Sequence, residues 1–182
     1  MIYKTRSITL KDGRGAILRA PRESDAEEML EYLRTASGET DFLASYPEEL
    51  KFTAEGERAY LKNNLDSPNT MMLVCDVDGK IAGNSQIVFM SSLKTRHRAV
   101  VMIGLLREYW GLGIGSALFR EMEREAREHG TAQLELEMIE GNDRVLALYR
   151  SAGFETMAEH PDAFRLRDGT SRAAVFMRKV LK

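Results

Sequence analysis

Cysteine is nearly missing from this chain: Cys75 stands alone among 182 residues, so no internal disulfide framework can form. Histidine is scarce as well, and three scattered imidazoles with one thiol make no cysteine-rich metal site, so no metal is expected. There is no run of about 18 apolar residues of the kind that spans a bilayer. The opening MIYKTRSITLKDGRG holds no apolar stretch of signal-peptide length, which makes the cytoplasm the expected compartment, away from membranes. Charge of one sign is not in surplus either. The 26 basic and 28 acidic side chains leave a formal −2, which gives no global attraction for nucleic acid, so an anionic ligand has to be held locally. No linker, repeat or low-complexity segment interrupts the chain, and at 43% hydrophobic residues its length suits one sizeable core. Residues 1–182 are read as a single domain.

What is present alternates between strand and helix periods. SITLKDGRGAILRA reads as two short strands around a turn, and ESDAEEMLEYLRTA as a helix capped by Ser24. SGETDFLASYPEEL is polar and turn-rich but carries Phe42, Leu43 and Tyr46, as a loop over a pocket would. TAEGERAYLKNNL returns to helical spacing with Thr53 as cap. TMMLVCDVDGKIAGNSQIVFM gives two apolar strands around Asp78-Gly79, a strong hairpin signal. A polar turn, SSLKTRHR, leads to the strand AVVMIGLL. SALFREMEREAREHG places Leu118 and Met122 one helical turn apart and ends at Gly130. AQLELEM alternates as a strand, and NDRVLALYRSA is a short helix capped by Asn142 and stopped by Gly153. The tail offers two more strands. The fold class is α/β (α+β), a mixed sheet with flanking helices and a crossover at its centre.

Between strand and helix stands REYWGLGIGSAL, with three glycines in five positions. Glycines at such a junction let backbone N–H groups converge on an anion at the positive end of a helix, and a phosphate or pyrophosphate is the natural guest. The nucleotide P-loop is poorly matched, because Ser116 is not preceded by the lysine that motif needs. A dinucleotide fingerprint puts Ser116 at its third glycine and lets Glu135 imitate its acidic residue, but antiparallel hairpins precede it instead of repeated βαβ units.

The stretch from about Val100 to Phe154 resembles the GCN5-related N-acetyltransferase (GNAT) family, with GLGIG as the acyl-CoA pyrophosphate loop and NDRVLALYRSAGF as the downstream motif. More weakly, SGETDFL, VDGKIAGN, TRHRA and EYWGLGIGSAL look like bacterial members related to ribosomal-protein N-acetyltransferases. One departure stands out: the family's usual Arg or Gln three residues before Gly113 is Trp110 here.

The resemblance implies a mostly antiparallel GNAT-like sheet and transfer of acetyl from acetyl-CoA, as cosubstrate, to a primary amine, whether a protein N-terminus or a small molecule. It implies no nucleic-acid or membrane partner, and it admits a homodimer without requiring one. Backbone groups of Met102, Ile103, Gly104, Leu105 and Leu106 would hold the pantetheine arm as an added strand does. Gly111, Leu112, Gly113, Ile114, Gly115 and Ser116 would cradle the diphosphate, and Asn142 and Tyr149 would also meet the cofactor. Tyr149 matches the family's general acid; an ordinary phenol keeps its proton at neutral pH. For the base, Glu137 and Glu135 share one side of their strand at period two. Glu39, Asp41 and Phe42 offer an amine-binding wall, and His97 is a further candidate near the acceptor. Against this stand a noncatalytic acyl-CoA sensor and, further off, an NAD-binding enzyme.

Overall fold

The computed structural model describes residues 2–181. Eight strands form one sheet. In chain order they are β1 (Arg6–Thr9), β2 (Gly15–Arg19), β3 (Thr70–Val77), β4 (Lys80–Phe89), β5 (Arg98–Leu105), β6 (Gln133–Ile139), β7 (Glu155–Arg165) and β8 (Ser171–Val180). Four helices accompany them: α1 (Ala26–Glu39), α2 (Ala54–Asp66), α3 (Ile114–Glu128) and α4 (Asp143–Ser151). The spatial order is β1-β2-β3-β4-β5-β6-β8-β7, antiparallel throughout except at β5/β6. The expected mixed, mostly antiparallel sheet with flanking helices is therefore present.

Local chemistry explains most of the boundaries. Asp78 and Gly79 both take positive φ, as a tight hairpin between β3 and β4 requires. The Thr53 hydroxyl accepts the Gly56 amide at the start of α2, and the Asn142 side-chain oxygen Oδ1 accepts the Val145 amide at the start of α4. Ser24 does not cap α1. It lies inside a 3₁₀ turn, Glu23–Asp25, whose Asp25 carboxylate accepts the Arg22 amide at 2.7 Å and pairs with the buried Arg19 guanidinium at 2.6 Å. Asp25 is the N-cap residue of α1, and its carboxylate, spent on the Arg19 guanidinium and the preceding Arg22 amide, makes no side-chain cap bond to the helix. α1 also runs on through Ser37–Glu39, where the sequence suggested the loop had begun, because Ser37 is buried and Gly38 packs beside Pro47.

Two apolar layers lie on opposite faces of the sheet. α3 buries Ile114, Leu118, Met122 and Ala126 at helical spacing against Leu73, Ile87, Val101, Leu134 and Met177. α1 and α2 bury Met29, Tyr32 and Leu61 against Met72, Val74 and Ile81. Cys75 belongs to the first layer, where burial pushes its thiol pKa up to about 12 and leaves it a small apolar side chain at neutral pH. Among the described residues no helix is long and apolar enough to cross a membrane.

The feature that makes a site is the β5/β6 seam. These parallel strands pair only where Arg98–Val100 meets Gln133–Glu135. Beyond it β5 stays paired with β4 as far as Leu105, and β6 with β8 as far as Ile139. The two strands therefore diverge, and their facing edges are free to pair with something else.

Candidate active site

The chain leaves β5, makes a 3₁₀ turn at Arg107–Tyr109, and enters α3 through Trp110–Gly113. Gly111 and Gly113 sit at φ 81° and 93°, backbone that a side chain would strain. Gly113 is the N-cap residue of α3 and has no side chain with which to answer the amides of the first turn. Among the described residues, none of the amides from Gly111 to Ser116 has a protein acceptor. A run of unanswered donors at the positive end of a long helix is suited to an anion. Gly115 serves a second purpose: a Cβ there would lie 2.8 Å from Leu148 Cδ2, so its absence lets α4 pack against α3.

Beside this loop lies a cavity of about 600 Å³, filling the wedge between β5 and β6. One wall is Val101–Leu105 and the other Glu137–Ile139; α4 closes one side, and Thr40, Phe42, Leu43 and Ala44 of the α1–α2 loop roof another. That loop is the pocket cover its apolar residues suggested. It is held in place by Arg167 of the β7–β8 turn, whose guanidinium stacks 4.0 Å from the Tyr46 ring and pairs with Glu48.

Most of the residues singled out from the sequence meet at this cavity. Met102, Ile103, Gly104, Leu105, Gly111, Gly113, Ile114, Gly115, Ser116, Asn142, Tyr149, Glu137 and Phe42 all line it. Leu106 does not, since its amide is spent on the Ala82 carbonyl at 3.0 Å. Leu112 turns away too, and its carbonyl accepts the Lys11 amide at 3.0 Å.

The two acids of β6 have different surroundings despite sharing a face. Glu135 lies level with the last paired residues of the seam, is buried, and is gripped by both Arg98 nitrogens and by Gln133. Hydrogen bonding from Arg98 holds its carboxyl below the usual range. Glu137 comes one step after the seam has opened, is exposed, and faces the cavity with no ion pair among the described residues. Period two put both acids on one side; the end of the strand pairing separates them. The acid that a dinucleotide fingerprint would use is thus already committed to Arg98.

His97 stands off the cavity, in the turn before β5, where its carbonyl receives the amides of Ala132 and Gln133. Glu39 ends α1 with its carboxylate on the Arg107 amide at 2.7 Å, and with Asp41 it lines a smaller neighbouring hollow of about 220 Å³. Thr40 borders both spaces.

Tyr149 is 6% exposed, with Phe119 edge-on at 5.5 Å, and its hydroxyl has no protein hydrogen-bond partner among the described residues. Burial raises its pKa, so the phenol keeps its proton throughout the neutral range. Two cations on the wall escaped the sequence reading. Arg144 follows the Asn142 cap by two residues and could have been noticed there; Lys11 comes from the distant β1–β2 turn, for which no local pattern exists. Trp110 anchors the loop by donating its indole N–H to the Leu105 carbonyl at 3.0 Å. Among the described residues no three His, Cys, Asp or Glu side chains gather as a metal site would need.

Comparison with known proteins agrees with this geometry. Residues 28–154 match the model of the acetyltransferase (GNAT) family. An acetyltransferase of the GNAT family from Streptococcus pneumoniae superposes with a TM-score of 0.85 at 26% identity, covering 91% of this chain and 99% of that one. The ribosomal-protein-alanine N-acetyltransferase of Brucella melitensis does so with a TM-score of 0.77 at 27% identity, over 90% and 99% of the two chains. The yncA protein of Salmonella typhimurium, solved with its cofactor acetyl-CoA, shares the fold with a TM-score of 0.78 at 18% identity, over 92% and 94%.

Proposed function

Since this chain belongs to the GNAT acetyltransferase family, we propose that it moves the acetyl group of acetyl-CoA to a primary amine, a protein N-terminus or a small molecule, in the cytoplasm. Residues 1–182 then act as one N-acetyltransferase domain. The observation that carries this reading is the run of unanswered amides from Gly111 to Ser116 beside a cavity of about 600 Å³ between diverging strands. A diphosphate satisfies the amides, and an extended amide-bearing arm satisfies the free edge of β5.

When bound, acetyl-CoA supplies an activated acyl carbon on a thiol leaving group. The chain supplies the rest. Glu137, on the open side of the wedge, accepts the proton that the amine must lose. An α-amine near pKa 8 needs about 1 kcal/mol to deprotonate at pH 7 and a lysine-like amine roughly 4–5 kcal/mol, so this help matters more for the second. As the C–N bond forms and the C–S bond breaks, Tyr149 donates its proton to the departing sulfur and recovers one from the newly acylated nitrogen; with a thiol pKa near 8.5 against a phenol pKa of about 10 the thiolate is the weaker base, so the donor chiefly stabilises the charge that builds on sulfur. The apolar surroundings of Tyr149 keep water from competing for that role.

Calorimetric titration with CoA and with NAD tests the binding half of the proposal. CoA should bind and NAD should not; NAD binding without CoA binding would reverse the assignment. Replacing Gly113 by Leu, which forces a side chain into left-handed backbone at a cost of roughly 1–2 kcal/mol, should weaken CoA about tenfold. Thiol release over a panel of peptides and small amines then tests turnover, and a protein that binds CoA but releases none with any amine is a sensor, not an enzyme.

A further inference from the structure

Position 110 carries an indole where the family motif has a side chain able to reach phosphate. The indole N–H is already given to the Leu105 carbonyl, so Trp110 offers the ligand no donor. Its ring nevertheless has two cations over it, the Arg144 guanidinium at 5.2 Å and that of Arg107 at 5.6 Å. The two are not equivalent. Arg107 is committed to the Glu39 carbonyl and lies off the cavity wall. Arg144 lines the cavity, has no carboxylate or carbonyl partner among the described residues, and places Nη1 3.9 Å from where a Cβ on Gly111 would stand.

A second cation approaches the same loop at Gly113. Lys11 also lines the cavity, without an ion pair among the described residues, and its stem lies 3.7 Å from where a Cβ on Gly113 would stand. Its amide bonds to the Leu112 carbonyl, fixing the β1–β2 turn to the glycine loop. The nearest acid in its own turn, Asp12, is engaged by Arg14. Two cations without counter-charges among the described residues thus border the unanswered amides, in a chain whose overall charge would not attract an anion.

Resting on the acetyl-CoA reading, we infer that Arg144, seated on the Trp110 ring, and Lys11 beside Gly113 replace the charge missing at position 110 and make the protein select acyl thioesters by their phosphates. The aromatic face holds a guanidinium plane in place while leaving its N–H fork free for two phosphate oxygens. Lys11 adds a compact charge on a stem whose root is anchored to the loop. Trp110 is then a positioning residue, acting through Arg144.

The test compares acetyl-CoA with S-acetylpantetheine, which carries the same arm and thioester but no phosphate. The unsubstituted protein is titrated with CoA first; if it does not bind, the acetyl-CoA reading itself falls, and this inference with it. Given binding, Arg144→Ala and Lys11→Ala, each checked for an unchanged thermal melt, should weaken CoA by about tenfold to a hundredfold and flatten its salt dependence. The preference for acetyl-CoA over S-acetylpantetheine in kcat/KM should fall by the same factor, and Arg144→Lys should recover part of it. In a Trp110→Ala background, Arg144→Ala should cost clearly less than it does alone, while Lys11→Ala costs the same. CoA affinity untouched by Arg144→Ala, or equal losses for the two thioesters, would overturn the inference while leaving the acetyl-CoA reading in place.

Discussion

Residues bring the chemistry, and in the proposed reaction Tyr149 bears most of it. Burial raises its pKa, so the phenol gains nothing as a base at neutral pH and remains a donor across the working range. Tyr149→Phe keeps the ring against Phe119 and removes only the donor. Its kcat should drop by roughly 10²-fold while the KM for acetyl-CoA stays within about twofold, measured as thiol release under conditions where chemistry limits the rate. An unchanged kcat would take the acid role away from Tyr149. Tyr149 was legible because it falls in a spaced motif, and so was Glu137. Its neighbour Glu135 reads identically in the sequence, and only the point at which strand pairing stops assigns one to the cavity and the other to Arg98. Arg144 stood within reach of the reading, two residues after the Asn142 cap, but Lys11 did not, since a cation in a turn has many uses and only proximity to the glycine loop selects this one.

Elements position these groups, and most were readable from their ends. Thr53, Asn142, Gly130, Gly153 and the Asp78-Gly79 pair each do what their local chemistry dictates. The start of α1 was not readable, because its closing carboxylate, Asp25, is recruited by Arg19 from β2, which also pairs with Asp76 of β3. The α1–α2 loop shows the same dependence on distant partners. Its roof over the cavity is fastened by one side chain from the β7–β8 turn, Arg167, whose amide also donates to the Tyr46 hydroxyl at 3.1 Å. Arg167→Ala should speed amide exchange over residues 40–46 by about tenfold or more and raise the KM for the amine, with little change in CoA affinity. Exchange unaltered across that loop would show that the roof stands without its latch.

For the molecule as a whole, a mixed sheet with a glycine-marked crossover was foreseeable, but its strand order was not. Nothing in the local sequence of β8 says that it inserts between β6 and β7, since that choice depends on which apolar faces meet after the chain has turned back. The seam where β5 meets β6 is bound on one face by Arg98 and Glu135. Because the folded-state pKa of Glu135 is depressed, this contribution is present above the unfolded value of about 4.3 and disappears as pH falls through the lower folded value. Thermal melts from pH 7 down to pH 3 should therefore show a larger loss of Tm for the unsubstituted protein than for Glu135→Gln, which starts lower and changes less. Parallel slopes would assign acid sensitivity to other carboxyls. A sheet joined by so short a parallel stretch is like a book held by a narrow spine, and a guest lying between its pages adds stitches to both covers. On the acetyl-CoA reading, occupancy should therefore register in the stiffness of the seam, and an amine reaching a loaded molecule should meet a firmer body than one reaching an empty one.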